Sequence, residues 1–218
     1  MTYPYKLKSG ILDHWGRDEE GYGKQIKEEK MEVFEAIKSR RSIRRYKSED
    51  VSEEKVNAVL DAARWAPSWK NTQCWRFVVV RDRDTKLKLS DTLGGVRGGS
   101  NPSADAVKNA PVLIVVCAKM GRSGYDDEKK IATDKGDYWY MFDTGLAVQN
   151  MMLAAHSLGL ASVAAGLFDA PKAGGILGVP GDVKVVMLVP LGYPDETPGT
   201  PRRKEIAEIA SREKYEGS

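Results

Sequence analysis

The chain has 218 residues, 41% of them hydrophobic and 30% charged, with 34 basic residues against 31 acidic and a net charge of +3. This describes a soluble, globular chain long enough to bury a substantial core in one large domain or two small ones. The near balance of charge argues against a duplex-binding protein, which carries a larger surplus or a long basic stripe.

Residues 1–30 contain several glycines, no clean periodicity and no apolar run of signal length. They read as an arm outside a domain that occupies residues 31–218. "KMEVFEAIKSR" then puts Val33, Phe34 and Ile37 on one helical face. A second helix follows in "VSEEKVNAVLDAARWAPS". Ser52 suits its N-cap, Val56, Val59, Leu60 and Ala63 form its buried stripe, and Pro67 marks its end. "WRFVVVR" (75–81) reads as a strand, 84–93 as a helix and 94–102 as a loop, after which Asn101-Pro102 opens another helix. "PVLIVVCA" (111–118) is a continuous apolar strand, expected to be buried on both faces. Residues 119–136 form a polar excursion. The longest helix is expected over 137–159, apolar nearly all round and therefore enclosed, with Gly159 as its C-cap. A strand over 160–168, a short helix in "APKAGGILGVP", a buried strand over 183–194 and a terminal helix over 202–214 complete the order. The apolar run 145–168 carries Gln149, Asn150 and His156, so a buried helix followed by a strand explains it better than a membrane span. Mixed helices and about four core strands result.

The chemistry-bearing features are local. "SRRSIRRY" packs Arg40, Arg41, Arg44 and Arg45 around Ser42 and Ile43, a repulsive cluster unless an anion balances it. Arginine forks beside a hydroxyl make a suitable phosphate cradle. A second pair, Arg202-Arg203, lies far along the chain, and the sequence does not show whether the two converge. In "APSWKNTQCW", Ser68, Asn71, Thr72 and Gln73 are packed around Trp69 and Trp75, where amides can read a heterocycle's edge and indoles can cover a ring; taken alone, an ordinary polar turn with tryptophans in the core is the better reading. "SVAAGLF" (162–168) offers small residues at a strand end, for a ligand or for tight packing. Asp143, in the long helix, suits a structural hydrogen-bond partner better than a catalyst. Cys74 and Cys117 are far apart, and with His14 and His156 they give no zinc-ligand spacing and no disulfide scaffold, which points to a reducing cytoplasm. No dinucleotide fingerprint, Walker loop or nucleophile elbow occurs. Any enzymatic chemistry must then come from a cofactor.

Four stretches, "RRSIRRY", "AARWAPSWKNTQCWRFVVV", "DTGLAVQNMMLAAHSLGLAS" and "LVPLGYP", resemble, in order, the nitroreductase family of FMN-dependent flavoproteins across roughly residues 31–210. The resemblance implies an α+β fold, a central mostly antiparallel sheet flanked by helices, in an intertwined homodimer with two FMN sites at the interface. It implies that Arg40, Arg41, Ser42, Arg44 and Arg203 bind the cofactor. Arg40, Ser42 and Arg203 chiefly hold the phosphate, and Arg44 reaches toward the ribityl chain and pyrimidine edge. Pro67, Ser68, Trp69 and Asn71 would come from the second subunit. Ala164, Ala165 and Gly166 would lie beside the isoalloxazine, and two alanines there imply an open N5 face. The implied reaction is ping-pong: NADH or NADPH delivers hydride to flavin N5 and leaves, and a flat electron-poor acceptor (quinone, nitroaromatic or activated alkene) takes its place. No side chain acts as a covalent catalyst and no metal is involved. Nucleic acid and membrane are not expected partners. Reductive dehalogenases of the deiodinase type, flavin-fragmenting enzymes and a non-catalytic flavin binder are the rival readings.

Overall fold

The computed structural model describes residues 31–94 and 101–215; the expected arm over 1–30 and most of the expected loop over 94–102 lie outside the described residues. Seven α-helices and four strands follow in the described residues: α1 (Val33–Ser39), α2 (Glu53–Arg64), β1 (Trp75–Val80), α3 (Arg83–Ser90), α4 (Pro102–Asn109), β2 (Val112–Lys119), α5 (Trp139–Ser157), β3 (Ala161–Ser162), α6 (Ala170–Leu177), β4 (Val183–Gly192) and α7 (Ile206–Ile209). The strands form one antiparallel sheet in the order β1-β2-β4-β3. β2 is its axis, buried along nearly its whole length as its unbroken apolar run implies. The period of two along the strand splits its side chains between two cores. Val112, Ile114 and Val116 face a cluster with α2 and α5, including Val56, Val59 and Met151. Leu113, Val115 and Cys117 face Leu89, Val107 and Ala173 from α3, α4 and α6.

Local signals set the helix ends. The Ser52 hydroxyl accepts the Lys55 N–H at 3.3 Å and begins α2. Asn101 caps α4 ahead of Pro102. α5 stops at Leu158, and Gly159, at φ +73°, supplies the left-handed residue that turns the chain into β3. The Lys55 ammonium donates to the Leu158 carbonyl at 3.0 Å, a cation on the negative end of α5.

Three expectations need correction. The strand over 160–168 shrinks to Ala161–Ser162, because the Ser162 carbonyl turns away to accept the Ile43 N–H, and pairing with β4 resumes only at a single bridge, Ala165 with Leu188. The terminal helix over 202–214 shrinks to the single turn α7. Residues 201–215 are exposed throughout, and so short a helix does not persist without a surface on which to bury Ile206 and Ile209. α5 is not enclosed. Ala147, Met151 and Ala155 are buried, but Met141 and Phe142 are open to solvent, Phe142 at 61%. α1 likewise turns Val33, Phe34 and Ile37 outward and buries only Ala36. No helix among the described residues is long and apolar enough to cross a membrane.

Candidate functional site

The arginine segment runs from the end of α1 along the edge of β3. Ser42 bridges Ser162, and Tyr46 bridges Pro194 just past β4. Gly192 lets these pieces meet: a Cβ there would lie 2.7 Å from the Pro111 ring and 3.1 Å from the Tyr46 ring. The Tyr46 hydroxyl donates to the Ile43 carbonyl at 2.5 Å, and burial, with Glu196 nearby, pushes its phenol up. Glu196 is the anchor of the returning chain. One of its carboxylate oxygens accepts the Arg44 and Arg45 amides at 2.5 and 3.2 Å, and the other meets Arg45 Nε at 3.3 Å. A cavity of about 340 Å³ opens here, lined by Ser39, Arg40, Arg41, His156, Ser162 and Glu196 among others.

Arg203, far along the chain, comes close enough to Arg40 for its charge to be felt there. The Arg40 guanidinium is pulled below its ordinary pKa first by burial, then by the charges of Arg41 and Arg203. Its Nη1 is buried and has no hydrogen-bond partner. A partly desolvated cation facing two like charges with a donor unspent is unfavourable alone and suits an incoming dianion. Ser42, two residues on from Arg40, is half-buried. The Arg41 guanidinium is already engaged, donating to the Lys38 and Arg40 carbonyls at 2.7 and 3.0 Å and to the Thr200 hydroxyl at 2.7 Å. The Arg44 side chain is exposed. His156, near the end of α5, shares a 2.7 Å hydrogen bond with Ser39 Oγ. Burial, then Arg40 and Arg41, hold its pKa below the usual imidazole value.

Ala164 lies two residues beyond the Ser42–Ser162 bridge, about 7 Å along an extended chain. Ala164 and Gly166 are exposed; Ala165 is buried, and its amide and carbonyl both bond Leu188, at 2.9 and 3.0 Å. A Cβ added at Gly166 would meet nothing within 4 Å.

Pro67, Ser68, Trp69 and Asn71 sit elsewhere, at the opposite end of α5. The Trp69 N–H donates to both Asp143 oxygens, at 3.2 and 3.1 Å, and its indole N–H donates to the Tyr125 carbonyl at 3.0 Å. Ser123 Oγ donates to Asp143 at 2.6 Å and meets Thr72 Oγ1 at 2.8 Å. Asp143 is therefore the structural partner expected, and the polar excursion is stitched onto the loop. The loop is strained: Lys70, Asn71 and Gln73 have φ of 43°, 55° and 46°. Asp143 and His156 are both on α5, thirteen residues apart, or about 20 Å of helix.

Glu196 and Thr200 carry no signal in the sequence, and His156 shows there only as a polar residue in an apolar run. The first two lie in "PDETPGTPRRKE", where only the arginine pair carried a signal; their role depends on which residues face them across the fold.

The nitroreductase family model matches residues 37–193. The chain is 38% identical over 175 residues to the "Putative NADH dehydrogenase/NAD(P)H nitroreductase" of Methanothermobacter thermautotrophicus, covering 78% of this chain and 82% of that one. It is 29% identical over 199 residues to iodotyrosine deiodinase 1 of Rattus norvegicus, covering 82% of this chain and 68% of the relative. Among solved structures, an FMN-dependent nitroreductase of Clostridium difficile superposes with a TM-score of 0.65 at 28% identity, over 81% of this chain and 97% of that one. By its family match, its relatives and its α+β fold built on an antiparallel sheet, the chain belongs to the nitroreductase family.

Proposed function

We propose that the chain is an FMN-dependent oxidoreductase that carries hydride from NADH or NADPH to a flat, electron-poor acceptor, a quinone, nitroaromatic or activated alkene, in a ping-pong cycle. The observation that carries this reading is the buried, unpartnered Nη1 of Arg40 beside Arg41 and Arg203. Arg40, Ser42 and Arg203 hold the phosphate. Arg44 would lie toward the ribityl and pyrimidine side of the cofactor, where its charge would favour electron-rich flavin. Ala164 and Gly166 flank the ring with small residues that leave room for both substrates in turn. When bound, FMN would supply the hydride-transfer chemistry. The side chains orient, anchor and supply charge.

The site is shared between two chains. The phosphate corner and the loop 67–71 stand at opposite ends of α5, and a second chain running the other way brings one chain's loop to the other's corner. The open apolar residues of α1, α5 and α7 supply the interface, which in obligate dimers resembles a divided core. A second reading, reductive dehalogenation of an iodinated phenol, draws on the similarity to iodotyrosine deiodinase 1 and on the 123–127 segment bound to Trp69.

Purified protein tests the proposal. Yellow colour with oxidised-flavin absorbance, bleached by NADH or NADPH and restored by a quinone or nitroaromatic, with parallel initial-rate plots, is the expected outcome. Colourless protein with no affinity for FMN sinks it, intersecting plots sink the ping-pong order, and a flavin that no nicotinamide bleaches marks a passive binder. Iodide release from iodotyrosine as the faster reaction favours the second reading.

A further inference from the structure

We propose that Arg41 and Thr200 are positioning residues: their hydrogen bond fastens the C-terminal segment to the end of α1 and thereby sets Arg203 beside Arg40. The inference rests on the phosphate reading above.

The returning chain is tied to the arginine segment at successive points. Tyr46 pairs with Pro194, the Asp195 N–H donates to the Arg45 carbonyl at 3.0 Å, and Glu196 takes the Arg44 and Arg45 amides. Beyond Glu196 the chain is exposed and includes Pro198, Gly199 and Pro201, so little of its own structure directs it. A further tie is the Arg41 Nη2–H donated to Thr200 Oγ1 at 2.7 Å. Arg41 is itself held by the Lys38 and Arg40 carbonyls, so its fork is fixed from the α1 side. Arg203 follows Thr200 by three residues, within about 11 Å of chain even when fully extended. The Arg203 guanidinium makes only long contacts, 3.4 and 3.5 Å, to the carbonyls of Pro201 and Arg202. Nothing in its own bonds holds it against the charge of Arg40. The Arg41–Thr200 bond restricts where the segment can go and confines this second cation to the corner. Both adjacent arginines are then needed for different reasons: Arg40 meets the anion, and Arg41 shapes the place where Arg203 meets it.

The test compares FMN with riboflavin, which lacks the phosphate, by fluorescence titration of flavin-free protein. Thr200→Val removes the acceptor and keeps the shape. It is expected to weaken FMN by about three- to tenfold, within the range of coupling between contacting residues, and to leave riboflavin unchanged. Thr200→Ser restores the hydroxyl and FMN affinity. In an Arg203→Ala background, Thr200→Val has no further effect. Amide exchange over residues 199–209 of flavin-free protein rises in Thr200→Val and not in Thr200→Ser. Equal weakening of both flavins, or an undiminished effect in the Arg203→Ala background, overturns the inference alone. A wild-type protein that prefers FMN no more than riboflavin overturns the phosphate reading and the inference with it.

Discussion

The two ends of α5 are built on opposite principles. At the C-terminal end, cations crowd together and a buried guanidinium nitrogen goes without a partner. At the N-terminal end, a buried carboxylate takes the Trp69 amide and the Ser123 hydroxyl, and three residues of positive φ are held under strain. The first end leaves a buried donor unspent, whereas the second spends its bonds on fixing a shape. A site assembled from both therefore divides its labour: one end supplies affinity and the other supplies geometry. Substitutions at the two ends should differ in what they damage, and in sign.

The largest effect concerns whether the ends belong to one site. A chain carrying Arg40→Ala and Arg203→Ala and a chain carrying Asn71→Ala are each expected to lose most FMN as homodimers. Co-expressed with different tags and purified through both, the heterodimer has one site with every substitution and one with none. FMN occupancy should return to one per dimer. A heterodimer as empty as its parents breaks the comparison, because the ends then do not meet across an interface.

Next is the cradle itself. Arg40→Ala or Arg203→Ala removes a charge-assisted bond of roughly 1.5–3 kcal/mol, and FMN affinity should fall about ten- to a hundredfold for each. The flavin-free Arg40→Ala protein should melt no lower than the wild type, because the substitution also relieves repulsion and removes the unpartnered donor. Full occupancy with unchanged affinity in the double variant rejects the cradle.

Asp143→Ala should behave in the opposite way. It leaves the Trp69 amide and the Ser123 hydroxyl without their acceptor, at a cost of about 2–4 kcal/mol when both remain buried. The flavin-free protein should melt several degrees lower, roughly 5–12 °C for a chain of this size. An unchanged melt would mean that the loop is held by something other than Asp143.

Much of this arrangement is legible in the sequence where a pattern is local. The run "PVLIVVCA" announces the central strand, Ser52 and Asn101 announce helix starts, and the crowding of Arg40 to Arg45 asks for an anion. What is not legible depends on partners distant in the chain. Nothing in "LASVAAGLF" shows that the Ser162 carbonyl leaves β4 for Ile43, so the strand reads longer than it is. The apolar spacing of Ile206 and Ile209 promises a helix, but no surface among the described residues covers it. Glu196 and Thr200 look like ordinary loop residues until the chain folds back on Arg41, Arg44 and Arg45. The two halves of the site were both visible as motifs, but their separation by α5 appears only in three dimensions.

The smallest effect sharpens the comparison at the cationic end. His156 lies against Ser39, with Arg40, Arg41 and Glu35 as its charged neighbours, and burial and the two arginines depress its pKa while Glu35 opposes them less strongly. The unfolded chain then binds more protons than the folded one in the window between the depressed folded value and about 6.5, the ordinary imidazole value. This contribution to stability is fully present above that value and is lost as the pH falls. Substitution by Asn should flatten the slope of stability against pH between about pH 5 and 7. An anion seated between Arg40 and Arg203 offsets part of the arginine field, so the His156 pKa should rise on binding. Sulfate is the cleaner probe, because its charge does not change over this range whereas a phosphate's does. Titrating the imidazole by NMR with and without sulfate should show the upward shift, and Arg40→Ala should abolish most of it. A His156 pKa that sulfate leaves unmoved would place the anion away from this end of the helix, and the division of labour along α5 would lose its electrostatic half.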